Sequence, residues 1–381
     1  MDYQKIPLFD NHSHPLDPTR LNMTPDQMAL EWLHGFRDDP GGKVSPWLNE
    51  HVHNQGSVLV LTHMLAELFG CEENLEAIAA ERARRLQGGV KPYAEELYKD
   101  GGIFCTLIDS DLPWGDPLLD LFPGKVIRHI QMDPIFYELL KTRNTYAQLR
   151  DAFVARIKEL VAKGYVSIKS HIGEEFSMDV RLVQPEEAEA AMADARGGNR
   201  QAQRTVYYAI FHQAMLTAQE LHVPIHVHSG ITGGYWDGRM DDCDPYKMGP
   251  FLRNVPHMQQ TDLVLLHSNY PYMGGAAMMA QAFPHVWVDL AWVLPWTALA
   301  FDRALEDLLA IAPVTKILLG SGQHNVPEIA WLSAKVARRS LEGVMKHLVE
   351  ENLISPEQGF RMAEQIMFRN ACRLYNIPEP V

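Results

Sequence analysis

The sequence predicts a (β/α)8 barrel with a helical insertion after its first strand and helices at its C-terminal end. Three observations predict it. Eight short apolar runs recur along the 381 residues, helix-patterned stretches separate most of them, and polar residues gather at the ends of the runs. Strand–helix alternation implies a parallel sheet with right-handed crossovers. Eight such units suggest a closed barrel, whose sites lie at the C-terminal face of the strands. A doubly wound open sheet is the alternative, and the count of eight weighs against it.

The first run, "KIPLFDNHSH", is a short apolar segment ending in polar residues. From about Leu21 to Asp100 the pattern turns helical. "TPDQMALEWLHGF" carries a Thr cap and a Pro in its first turn. "SVLVLTHMLAELFG" and "NLEAIAAERARRLQGG" each end at glycine, a common helix stop. Further strand candidates follow as "GIFCTLID", "KVIRHIQMD", "GYVSIKS", "VPIHVHSG", "TDLVLLHS", "HVWVDLAW" and "TKILLGSG". "TYAQLRDAFVARIKELVAKG" and "RTVYYAIFHQAMLTAQELH" are helical between them. With no internal repeat or low-complexity linker, residues 1–381 read as one domain with an insertion at about residues 20–100.

Composition bounds the function. The chain is 46% hydrophobic and 22% charged, an ordinary globular balance. A net charge of -14 argues against nucleic acid or an anionic membrane as partner, since both need clustered Lys and Arg. A small-molecule substrate is expected instead, and a homo-oligomer is compatible with a barrel enzyme. Cys71, Cys105, Cys243 and Cys372 lack CxxC spacing, which fits reduced thiols in a cytoplasm. The opening residues show no basic-then-apolar leader pattern, and no apolar run approaches the ~20 residues of a membrane span.

Histidine is the unusual count, at 17. His12 and His14 form an HxH pair at the end of the first run. Alternate residues of a strand share a face, so both imidazoles project together and can grip one metal. His51 and His53 repeat the spacing inside the helical insertion, where the two would not face one way. They read as surface or packing residues. Lys169 ends the fourth strand candidate, His226 and His228 the fifth, and His267 the sixth. Their coincidence on one barrel face points to a metal site. Imidazole suits zinc first, and manganese, iron or nickel in mixed nitrogen–oxygen sites.

"FDNHSHPL", "SIKSH", "VPIHVHSG", "LVLLHSNYPY", "VWVDLAW" and "LLGSGQHNVPE" resemble the successive motifs of the amidohydrolase superfamily. The similarity is strongest to its amidohydrolase-2 branch, which includes the domain fused to glutamine-synthetase-like domains and some non-oxidative decarboxylases. It extends to the tail "EQIMFRNACRLYNI". The resemblance implies that His12, His14 and His228 are metal ligands. His267 is implied as a second-metal ligand or an acid/base residue, so one or two ions are expected. Lys169 falls where binuclear members carry a carboxylated lysine. Uncarboxylated, it would pair with a substrate carboxylate. His226 is a weaker neighbour of His228. His171 and Glu174 follow the fourth strand toward the pocket, and Asp289 either orients a ligand or caps the next helix.

The eighth-strand motif of this family reads Ser-Asp, then a small or polar residue, then His. Ser321, Gln323 and His324 match that frame, and Gly322 stands where the aspartate belongs. In the family that aspartate binds metal and takes the proton of the attacking water. Glycine can do neither. Gly322 is therefore read as an Asp→Gly variant, engineered or accidental, as a natural replacement with another base (His324, His267 or Glu328), as the mark of a ligand-binding pseudoenzyme, or, least favoured since no acid lies within "ILLGSGQH", as a misplaced register. The protein is expected to carry substoichiometric transition metal, and Gly322→Asp to raise both metal content and turnover.

The leading activity is metal-dependent hydrolysis of an amide or related C–N bond, with Lys169 or His267 stabilising the oxyanion. Non-oxidative decarboxylation of a small carboxylic acid is the alternative. Tyr235, Trp236, Tyr270 and Trp292 are expected to wall the substrate, and Arg128 with His129 to bind a carboxylate.

Overall fold

A computed structural model describes residues 1–20, 22–32, 51–231 and 239–380. Eight parallel strands follow one another around a barrel in chain order. They are β1 (Leu8–Ser13), β2 (Ile103–Ile108), β3 (Lys125–Gln131), β4 (Ser167–Ser170), β5 (Ile225–His228), β6 (Leu263–Leu266), β7 (Val286–Asp289) and β8 (Ile317–Leu318). All eight coincide with the predicted runs. β8 is only two residues long, yet the chain beyond it closes on β1. Asn11 N donates to Leu319 O (2.9 Å), Gly322 N to His12 O (2.7 Å) and His14 N to Gln323 O (2.8 Å).

The predicted insertion is helical where it is described. It contains α1 (Pro25–Trp32), α2 (Gly56–Phe69), α3 (Leu75–Arg85) and α4 (Val90–Asp100). Gly70 ends α2 in the left-handed conformation that the sequence stop implied (φ 68°). His53 pairs with Asp26 of α1 at 2.9 Å, within the insertion.

The remaining helices cover the barrel. α5 (Met132–Thr142) and α6 (Tyr146–Ala162) follow β3. After β4 come α7 (Ile172–Glu175), α8 (Pro185–Arg196) and α9 (Arg200–Leu221). α10 (Gly249–Asn254) follows β5 and α11 (Met273–Ala282) follows β6. α12 (Val293–Trp296) and α13 (Phe301–Leu309) follow β7. The long α14 (Glu328–Glu350) follows β8, and α15 (Pro356–Glu364) and α16 (Asn370–Leu374) end the chain.

Two expectations fail here, each for a packing reason. Glu328 is no base. It opens α14 fully buried, ion-paired with Arg82 of α3 and accepting from Tyr93 Oη of α4 at 2.9 Å. It fastens the insertion to the barrel. Arg128 binds no site carboxylate either. Neighbouring residues of a strand face opposite ways. His129 points into the barrel, while Arg128 points outward. Its guanidinium donates to Pro113 O (3.0 Å), Ser110 Oγ (3.1 Å) and Leu112 O, and lies over Tyr165. It thereby pins the β2–β3 connection, which has a short 3-10 turn (Pro117–Leu121) in place of an outer helix.

The barrel floor is polar and sealed by the C-terminal segment. Asn11 Nδ2 donates to Asp289 Oδ2 at 2.8 Å, which leaves Asn11 Oδ1 to accept from Tyr375 Oη. With its proton given to Asn11, that hydroxyl accepts from His226 Nε2 at 2.8 Å. The chain of bonds fixes the His226 tautomer from a residue at the far end of the sequence. Asp289 also accepts from Ala291 N at 2.8 Å, so it braces the turn after β7 rather than facing the mouth.

Candidate active site

The site is built where β1 and β2 end. His12 and His14 leave β1 on one face with ring centroids 4.9 Å apart. Asp109 is the first residue past β2, and its N–H bonds Ser13 O at 2.8 Å, which holds it beside the pair. One donor atom from each of His12, His14 and Asp109 lies within 4.8 Å of the others. Gln131 Nε2, at the end of β3, donates to Asp109 Oδ1 at 2.9 Å. Lys169 Nζ stands 3.5 Å from Oδ2, with both side chains buried. Burial alone would raise the Asp109 carboxyl. Its charged neighbours, Lys169 foremost, outweigh burial and hold the group below the ordinary carboxylate range.

The opposite wall comes from β4, β5 and β6. His171 is tied down by Asp133, at the start of α5. That carboxylate takes the His171 backbone N–H at 3.0 Å and its Nδ1 at 2.8 Å. Tyr207 Oη also donates to Asp133, and Ser170 Oγ lies 2.8 Å from Tyr207 Oη. His171, Glu174 and His228 bring one donor atom each within 4.8 Å of one another. His228 Nε2 donates to Ile231 O and lies 3.5 Å from Glu174 Oε1.

His267 joins the two walls, with ring centroids 4.5 Å from His228 and 5.6 Å from His12. Its Nδ1–H donates to Ala291 O at 2.8 Å, so Nε2 carries the lone pair. Buried Nε2 has no hydrogen-bond partner among the described residues, and the same holds for His12 Nδ1 and His129 Nε2. Burial is the largest cause in each of three further shifts: His12 and His267 fall well below the usual imidazole range, and His228 falls to about 4. These rings are neutral near pH 7, the form in which imidazole binds metal.

Gly322 and Trp292 decide the eighth strand. Gly322 has φ 63°, a left-handed backbone that L side chains resist. A Cβ there would sit 2.1 Å from Trp292 Cδ1 and 2.9 Å from Trp292 N. Trp292 Nε1 donates to Gly322 O at 2.8 Å. The indole stacks on His267 (4.4 Å, 9°) and on Trp296 (5.2 Å, 11°). The glycine is thus built into the packing against Trp292. A carboxylate side chain at 322 has no room.

Trp292 therefore stands in the site, as the sequence suggested. His324 is there too, its ring stacked on His14 at 3.6 Å. Tyr270 makes no ring contact with the histidines among the described residues, and Tyr235 and Trp236 lie outside those residues. Sequence reasoning missed Asp109, Gln131 and Asp133. Asp109 had a signal, because "GIFCTLID" ends in an acid at a strand end. Asp133 had none, because it reads as an ordinary first-turn helix acid.

The donor set fits a divalent transition metal. Imidazoles, two of them (His228 and His267) held in their tautomers by backbone carbonyls, converge with the Asp109 carboxylate, and His12 Nδ1, His129 Nε2 and His267 Nε2 carry no other bond among the described residues. The barrel and this mouth define a metal-dependent hydrolase type of enzyme. The sequence model of the amidohydrolase family, Amidohydro_2, matches residues 149–377. That is more than half of the chain, and the protein belongs to this family. It is 32% identical over 157 residues to Protein fluG of Emericella nidulans, covering 41% of this chain but only 18% of FluG. The chain thus spans under a fifth of that relative's length. Among solved structures, a protein from Lactobacillus casei classed as a metal-dependent hydrolase superposes with TM-score 0.83 at 20% identity, covering 98% of this chain and 96% of that one. Uronate isomerase from Thermotoga maritima gives TM-score 0.72 at 17% identity, covering 98% and 95%. Glucuronate isomerase from Caulobacter crescentus gives 0.73 at 14%, covering 99% and 93%. At these identities the structures share the fold. Among the described residues, no helix is long and apolar enough to cross a membrane.

Proposed function

We propose that the protein hydrolyses an amide or related C–N bond of a small molecule with a divalent metal, zinc by preference, held by His12 and His14. The observation that carries this reading is the convergence of His12, His14, Asp109, Lys169, His228 and His267 on one mouth. Bound there, such a metal supplies Lewis acidity and lowers the pKa of water toward ~7. Lys169 stands beside Asp109 as an ion pair in this structure, Nζ to Oδ2 3.5 Å. Its charge is placed to stabilise an oxyanion on the substrate carbonyl. His267 Nε2 and the Asp133-anchored His171 are placed to hold or pass a proton. Trp292 forms an apolar wall beside His267 and His228.

The test uses the zinc- or manganese-loaded protein on panels of small amides and small carboxylic acids, following amine or ammonia release and carbon dioxide release. Amine release that is lost in His12→Ala supports hydrolysis. Carbon dioxide without amine moves the assignment to a decarboxylase. Ligand binding without turnover marks a non-catalytic barrel.

A further inference from the structure

Two observations meet at the question of which acid serves the metal. Position 322 is closed to a side chain by the indole and the backbone nitrogen of Trp292, with a Cβ contact of 2.9 Å to the latter even if the ring turned away. Meanwhile a buried carboxylate already stands beside His12 and His14, from a different strand. Asp109 Oδ1 is occupied by Gln131 Nε2, so one oxygen is oriented, and the other, Oδ2, lies 3.5 Å from Lys169 Nζ, while this carboxylate groups with ring nitrogens of His12 and His14. Oδ2 has no hydrogen-bond partner among the described residues, although the side chain is buried.

We infer that Asp109 is the acidic metal ligand of this protein, so that the end of β2 supplies what the sequence frame placed at the end of β8. The inference rests on the metal reading above and deepens it. Trp292 fills the space beside β8 and presses on His267, so the metal's carboxylate comes from the side of the barrel nearest His12 and His14. Gln131 orients that carboxylate, as outer hydrogen bonds orient metal ligands generally. Lys169 balances its charge before metal arrives. Asp109 is also the one carboxylate among the described residues that groups with the HxH pair.

Cobalt(II) is the probe, titrated into metal-free protein with calorimetry for affinity and visible absorption for the ligand field. Asp109→Asn should weaken cobalt binding at least as much as loss of an outer-shell partner, about 10–100-fold, and change the absorption bands. Because Asp109→Asn leaves Lys169 without its counter-charge, Asp109→Asn/Lys169→Met is measured beside it, and the same loss is expected. Gly322→Asp should bind cobalt no more tightly than the parent. Parent-like affinity and bands in a folded Asp109→Asn or in the double variant overturn the inference, as does tighter binding by Gly322→Asp. A parent that takes up no cobalt overturns the metal reading itself, and is told apart from those results by the parent's own titration.

Discussion

Lys169 holds its ammonium 3.5 Å from Asp109 Oδ2, and the pair is buried where β2 and β4 reach the barrel mouth. Two opposite charges out of water stabilise each other only while both are present. Lys169→Met leaves the buried carboxylate with its Gln131 hydrogen bond but without its counter-charge, and breaking such a pair costs about 3–5 kcal/mol. Urea denaturation of the metal-free protein measures it. A cost below about 1 kcal/mol would mean the pair behaves like an exposed one.

Gly322→Ala tests the Trp292 packing without adding charge. The left-handed backbone costs an L residue about 1–2 kcal/mol, and forcing a methyl into filled space adds about 1–3 kcal/mol. The variant should unfold at distinctly lower urea, with altered tryptophan fluorescence as the indole shifts. Parent-like stability would mean the space is open.

Glu328→Gln should weaken the hold of the insertion. The buried Arg82 guanidinium loses its ion pair with Glu328, and stability falls by about 3–5 kcal/mol. Limited proteolysis locates the damage. Faster cleavage between residues 56 and 100 is expected, and a cleavage pattern like the parent's would contradict this anchoring role.

Tyr375→Phe removes the hydroxyl that joins Asn11 to His226. Two buried polar atoms lose their partner, at about 1–3 kcal/mol. A ring-nitrogen NMR spectrum of His226 would show the tautomer no longer fixed.

Much of this was legible in the sequence, and the reasons are specific. The strands were visible because each is a short apolar run ended by a polar residue, a pattern set by local burial. His12 and His14 were visible because strand periodicity alone puts them on one face. Arg128 misled because periodicity says only that it opposes His129, and not which of the two faces inward. Asp109 was passed over because its value comes from Lys169 and Gln131, which lie on other strands. Gly322 looked like a deficit for the same reason. Nothing in "LLGSGQH" tells that Trp292, thirty residues earlier, occupies the place a side chain would need. Residues that share an element can be read together, whereas residues joined only by barrel closure cannot.

The most direct measurement is metal content by mass spectrometry, after loading with zinc or manganese and gel filtration, for the parent and for His12→Ala/His14→Ala. Metal is expected to be retained in the parent and lost in the variant, with circular dichroism showing the barrel intact. Equal metal in the two folded proteins would contradict it.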